Sequence, residues 1–241
     1  MSAILAIETS GEPASLAVIR DGDVVADLHF AAQRRLSQVL MLRVDDVLKC
    51  AGVSLREVTA LAASLGPGSF TGLRIGIGTA KALAQVNRCD IVGVPTHHAI
   101  AERHAPTSAG LACVVTIARA DEVYATLLRR GENAWREVAP CRVYRVADLK
   151  EFLDKVGEKP VLCGDGAAAW LDDLGRVGEV VAADDLASAA SRGAGYAPEI
   201  GLIAHRRLRS GATDDPDAVR PLYVRPSQAE AARGLDLGLS R

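Results

Sequence analysis

Ser64-Leu65-Gly66-Pro67-Gly68-Ser69-Phe70-Thr71-Gly72-Leu73-Arg74-Ile75-Gly76-Ile77-Gly78-Thr79-Ala80-Lys81 is a stretch in which a short apolar run breaks on Gly-Pro-Gly and restarts at helical spacing. The pattern predicts strand, tight loop, helix. Pro67 cannot continue a strand ladder, so the chain turns there, and Ser69 is placed to cap the first free amides of a helix. That helix is expected to run to about Val86. At about 100° per residue, Leu73, Gly76, Ile77, Ala80, Leu83 and Ala84 share one side, and Ile75, Thr79, Ala82 and Val86 continue the apolar arc. Only Thr71, Arg74, Lys81 and Gln85 form a polar stripe. A helix on one sheet needs an apolar arc of roughly 100°, so an arc of about 200° implies two surfaces to bury against, the second of which could be another subunit.

Small residues sharpen the point. Gly72, Gly76, Ala80 and Ala84 recur every fourth position and form a shallow groove along the helix. Close packing on the helix's own sheet and contact with a partner's helix both fit that groove. Glycine inside a helix costs about 0.5–1 kcal/mol relative to alanine, and Gly72, Gly76 and Gly78 all lie inside this one.

A length of 241 residues suits one large or two small domains, and two are expected. With 49% hydrophobic and 24% charged residues, the composition excludes disorder and a membrane-spanning class. A net charge of −2 gives no basic footprint for independent nucleic-acid binding. Cys50, Cys89, Cys113, Cys141 and Cys163 have no metal or redox spacing, which points to buried free thiols in a reducing cytosol. Glu8 interrupts the first apolar run, so no signal peptide is expected, and no uncharged stretch reaches the roughly 18–20 residues of a membrane span.

In order, Ile4 to Thr9, Ala14 to Ile19 and Val24 to Ala32 read as three strands, with Arg20-Asp21-Gly22-Asp23 as a hairpin signal. Leu36 to Ala51 has helical spacing and Gly52 stops it. Thr59 to Leu65, the Gly-rich helix, Ile91 to Val94 and a helix from about Thr96 follow. After the linker-like His104 to Gly110 a similar programme begins. Strands are expected at Leu111 to Ile117, Glu122 to Leu128, Trp135 to Val138, Pro160 to Cys163 and Val180-Val181. Helices are expected at Val146 to Val156, Ala167 to Leu174 and Tyr196 to Arg209. Two halves, each with three strands before its first helix, predict an α/β fold of two tandem ribonuclease-H-like lobes, each a mixed sheet flanked by helices. That is the actin-like ATPase architecture. The expected lobes are 1–105 and 106–226, with a tail at 227–241 that lacks periodicity.

Ile4-Leu5-Ala6-Ile7-Glu8-Thr9-Ser10 together with Gly66-Pro67-Gly68-Ser69-Phe70-Thr71-Gly72-Leu73-Arg74-Ile75-Gly76 closely resembles the bacterial TsaB family, also called YeaZ. Weaker agreements follow at Gly93-Val94-Pro95-Thr96, Arg119 with Glu122-Val123-Tyr124, Gly164-Asp165-Gly166, Pro216-Asp217-Ala218 and Pro221-Leu222-Tyr223-Val224-Arg225. The resemblance covers nearly the whole chain, more strongly before Gly110. It departs at Glu8, where the family commonly has Asp, at Leu36-Ser37 for His-Ser, and at Ile117-Ala118-Arg119 for Asp-Ala-Arg.

The resemblance implies a cytoplasmic, non-catalytic subunit of the machinery that places threonylcarbamoyl on adenosine in tRNA, without cofactor or metal of its own. It implies binding to a catalytic TsaD-like paralogue through Leu36 to Ala51 and Ser69 to Val86. A TsaE-like ATPase is the further partner, and tRNA is reached only through the complex. The implied partner face comprises Leu36, Leu40, Met41, Val44, Gly72, Arg74, Ile75, Gly76 and Thr79. A homodimer through the same face is the alternative assembly when the paralogue is absent.

A stand-alone kinase or hydrolase is the rival class. Glu8, Thr9 and Ser10 with Gly66, Gly68 and Ser69 are the residues that could hold an anion or nucleotide. The second half opens Val114-Val115-Thr116-Ile117-Ala118-Arg119, with no phosphate-cradling glycines. A glycoprotease of the same superfamily would need metal ligands, and none of His29, His97, His98, His104 and His205 stand four apart. Arg206-Arg207-Leu208-Arg209 reads as a helix end whose cations complement the dipole.

Overall fold

A computed structural model describes residues 3–181 and 195–224. They fall into two compact units, one within Met1–Ala99 and Gly193–Leu222, the other within Ile100–Arg192 and Tyr223–Arg241. Position 225 and the 227–241 tail lie outside the described residues.

In the first unit, β1 (Ala3–Glu8), β2 (Ala14–Arg20) and β3 (Asp23–Phe30) form an antiparallel meander. The β2–β3 turn uses positive φ at Asp21 and Gly22, as a right-twisting hairpin requires. After α1 (Leu36–Cys50), β4 (Val58–Ser64) pairs parallel with β1. Then α2 (Phe70–Asn87) leads to β5 (Asp90–Val94), parallel to β4. The sheet order is β3-β2-β1-β4-β5.

Every residue of β1 is buried, because both faces of the sheet are covered. Leu5 and Ile7 point into a core with Leu40, Val44, Val47, Ile77 and Ala80 of α1 and α2. Ile4 and Ala6 point the other way, against Ala197, Ile200 and Ala204 of the last helix, α7 (Ala197–Arg209). Sequence order would place α7 in a second lobe at 106–226, but it packs on the first sheet. Gly201 permits the approach, since a Cβ there would overlap Ile19.

α3 (Thr96–His104) carries the chain into the second unit. There β6 (Leu111–Arg119), β7 (Glu122–Arg130) and β8 (Trp135–Arg145) repeat the meander. They are followed by α4 (Val146–Asp154), β9 (Val161–Cys163), α5 (Asp165–Ala169), α6 (Leu171–Leu174) and β10 (Glu179–Val180). The order β8-β7-β6-β9-β10 reproduces that of the first sheet, so the duplicated ribonuclease-H-like architecture holds. The single helix expected at Ala167 to Leu174 is instead two short ones, broken at Trp170 (φ −116°, ψ 36°). β8 extends to Arg145, well past the expected Val138. Among the described residues no helix is long and apolar enough to cross a membrane.

Candidate functional site

The end of β1 and the Gly-Pro-Gly loop meet, and they satisfy one another. Glu8 is 2% exposed, and its Oε1 accepts from Ser10 N at 2.6 Å and from Ser10 Oγ at 2.5 Å. Ser69 N donates to Ser10 O at 2.6 Å, and Thr9 N to Ser64 Oγ at 3.3 Å. Ser69 Oγ caps α2 by accepting from Gly72 N at 3.2 Å. Gly68, at φ 155°, lies so close to the Ser10 carbonyl that any Cβ would overlap it. The six candidate anion-binding residues are therefore brought together, but Glu8 and the Ser69 amide are engaged within the chain. Gly66 O accepts from Thr96 N at 2.8 Å, and Leu65 O from Leu222 N at 2.8 Å. Beside this knot, a cavity of about 110 Å³ is lined by Thr9, Glu12, Arg34, Leu36, Thr71 and Ile75, among others.

The second candidate set lies on α1 and α2, and the structure divides it. Leu36, Leu40 and Val44 are core residues, the last two 1% exposed. Gly72 and Gly76 are also turned inward: a Cβ at Gly72 would overlap Thr9 O, and one at Gly76 would overlap Thr9 Oγ1. These five positions of the expected partner face serve the chain's own packing, because α2 crosses the end of β1 at backbone-to-backbone range. The small-residue groove faces the sheet.

A different set faces outward. Gly78 is exposed, with nothing within 4 Å of where its Cβ would be. Val86 is 76% exposed, Leu42 65% and Met41 47%, while Ala82 is open and Ile75 and Thr79 are half-buried. Arg74 lies 4.0 Å over the Phe70 ring centroid, a geometry that holds its guanidinium in place. Thus Met41, Arg74, Ile75 and Thr79 of the expected set remain at the surface, and Leu42, Gly78, Ala82 and Val86 join them. The width of the apolar arc was the legible signal. Which glycines lay within it was not.

The second unit repeats the closure of its first strand. Asp165 Oδ1 accepts from Ile117 N at 3.1 Å, and burial raises the Asp165 pKa. Gly164, at φ 102°, sits under Val115 O, where a Cβ would overlap. Arg119 pairs with Glu122 at 3.5 Å. Of the cationic helix end, Arg207 is a clamp: it donates to Gly93 O at 2.9 Å and to Asp214 at 2.7 Å. His97 is 1% exposed, and burial lowers its pKa to about 3, the neighbouring His98 adding to the effect. His98 is lowered to about 4 by burial and then by Arg207.

The family model for TsaD, tRNA N6-adenosine threonylcarbamoyltransferase, matches residues 30–233. The tRNA threonylcarbamoyladenosine biosynthesis protein TsaB of Escherichia coli K12 is 32% identical, over 94% of this chain and 96% of its own length. Among solved structures, a Pseudomonas aeruginosa protein described as similar to the peptidase YEAZ superposes with a TM-score of 0.78 at 26% identity, covering 93% of this chain and all of that one. YeaZ from Pseudomonas aeruginosa superposes at 0.74 with 24% identity, over 92% of this chain and all of its own, and shares the fold. Agreement in motif, in duplicated topology and along nearly the full length of a curated relative establishes that the chain belongs to the TsaB family of tRNA threonylcarbamoyladenosine biosynthesis proteins.

Proposed function

We propose that this chain is a non-catalytic, cytoplasmic subunit that binds and stabilises a TsaD-like catalytic paralogue through the outward face of α1 and α2. One observation carries the reading. Met41 and Leu42 on α1, and Ile75, Gly78, Ala82 and Val86 on α2, leave apolar groups at the surface of both helices, where water contact is unfavourable. Gly78 adds a place where another backbone can approach closely, at a helix cost of about 0.5–1 kcal/mol that nothing inside the chain offsets. A TsaE-like ATPase and tRNA join through the complex, and a homodimer through the same band forms in the absence of the paralogue.

The non-catalytic part rests on the knot at β1. The Glu8 carboxylate is 2% exposed and its Oε1 is occupied by Ser10 N and Ser10 Oγ, which supports a structural role for it. ATP hydrolysis by the purified chain with Mg²⁺, abolished by Glu8→Gln, would overturn it.

The assembly is tested by light scattering of the chain alone and with the paralogue, comparing wild type with Gly78→Gln. Glutamine at Gly78 meets open space and favours the helix, so the variant keeps its fold while blocking close approach. Wild type should form a heteromer and the variant should not. A wild-type chain that stays monomeric beside the paralogue refutes the reading.

A further inference from the structure

The cavity beside the knot in the first unit is walled by groups of opposite charge. Ser69 and Thr71, at the start of α2, both line it. Ser69 N has an acceptor in Ser10 O and Gly72 N has one in Ser69 Oγ, whereas the Thr71 amide, at the second helical position, has no acceptor within the helix. The dipole of this 18-residue helix favours negative charge at that end. Arg34 adds a full positive charge to the wall, and its exposed guanidinium makes no ion pair or hydrogen bond among the described residues. Glu12 supplies the opposite sign. Its Oε1 accepts from Ala32 N at 2.8 Å, which fixes the carboxylate on the cavity wall, and a carboxylate accepts up to about four hydrogen bonds. Thr9, 2% exposed, also lines the space, and its Oγ1 is buried without a hydrogen-bond partner. Orphan hydroxyls of this kind are rare in native interiors and call for an occupant that satisfies them.

Size and charge together narrow that occupant. An apolar cavity of about 150 Å³ holds benzene, so one of about 110 Å³ takes a molecule of no more than about six heavy atoms, which excludes a nucleotide. A phosphate or sulfate would meet Glu12 as a like charge, and a lone cation would meet Arg34 and the positive end of α2. An α-amino acid carries both charges on one carbon. Leu36 and Ile75 make the remaining wall apolar, which suits a hydrogen or a methyl group as its side chain.

We infer that this cavity binds a small zwitterion of the α-amino acid class, its carboxylate toward Arg34 and the start of α2 and its ammonium toward Glu12. The inference is independent of the proposed partner function. It is tested by titrating the full chain, labelled with nitrogen-15, with glycine and alanine, and with acetate and methylamine as the two half-ligands, while recording backbone amide shifts. Saturable shifts are expected at Thr71, Gly72 and Ala32 within about 50 mM amino acid, with each half-ligand at least about tenfold weaker, because each charged group adds its own charge-assisted contact. Arg34→Gln and Glu12→Gln should each weaken alanine by about tenfold or more, and Glu12→Gln should leave acetate unchanged. Glutamine at 12 keeps an acceptor for Ala32 N, and an unchanged melting temperature verifies the fold of both variants. Absence of saturable shifts with either amino acid overturns the site. Acetate binding as tightly as alanine overturns the part given to Glu12, and affinities indifferent to both variants overturn the location.

Discussion

Gly76 and Gly78 sit two residues apart on one helix, and alanine should act on them in opposite directions. At Gly78 a Cβ meets nothing within 4 Å, so the substitution keeps the full helix-propensity gain of about 0.5–1 kcal/mol. At Gly76 the same methyl would overlap Thr9 Oγ1 and lie 3.1 Å from Thr9 Cβ and 3.2 Å from Thr9 Cγ2. Thr9 is 2% exposed at the end of β1, and its amide is tied to Ser64, so it cannot swing aside. The helix must shift instead, and overpacking of this kind costs about 1–3 kcal/mol. Net of the propensity gain, Gly76→Ala should lose up to about 2.5 kcal/mol, and because that gain is common to both variants they should lie about 1–3 kcal/mol apart. Urea unfolding reads the difference directly. In a chain of this length each kcal/mol also moves the melting temperature by about 2–4 °C. Thr9→Ala in the Gly76→Ala background should recover part of the loss, a coupling expected only of residues in contact. A Gly76→Ala protein as stable as Gly78→Ala would refute the placement of α2 on β1. For the same reason a bulky residue at Gly76 tests the fold, whereas one at Gly78 tests the outward face.

Acid should weaken the first unit before carboxylates titrate. Burial holds the folded pKa of His97 at about 3 and of His98 at about 4, below the ordinary value near 6.5, so the unfolded chain binds more protons below that pH. The histidine contribution is then constant above about pH 7 and falls by up to about 1.4 kcal/mol per pH unit for each histidine between pH 6.5 and 4. A urea midpoint unchanged from pH 7.5 to 5 would contradict this. Asp214→Ala removes the acceptor of Gly93 N (2.8 Å) and of Arg207 (2.7 Å) at the outer edge of β5. The expected cost is about 1–2 kcal/mol, seen as faster hydrogen exchange at Gly93; unchanged exchange there would contradict it. Cys50 is exposed, whereas Cys113 and Cys163 are buried, the Cys163 thiol pushed up to about 12 by that burial. Native alkylation should label Cys50 and spare Cys113 and Cys163 until the chain is unfolded, as mass spectrometry can verify.

Local pattern by itself determined most of the elements and their order. β1, β2, α1, β4, α2, β5 and α7 lie within a residue or two of where alternation and helical spacing put them, because period-two and period-3.6 burial is set by the residues of one element. The repeated programme of strands before helix likewise carried the duplicated topology. The excess width of the apolar arc on α2 also announced that Ile75, Ala82 and Val86 would be left over. Only the tertiary structure decided which small residues face inward, since Gly72 and Gly76 are read against Thr9, a residue distant in sequence, and Gly78 against nothing. It alone returned α7 to the first sheet, against Ile4, Ala6 and Ile19. It alone placed Glu8 Oε1 where it accepts from Ser10 N and Ser10 Oγ. In each case the deciding contact joins residues whose spacing along the chain carries no periodic signal, so it exists only once the backbone has brought them within van der Waals or hydrogen-bonding range.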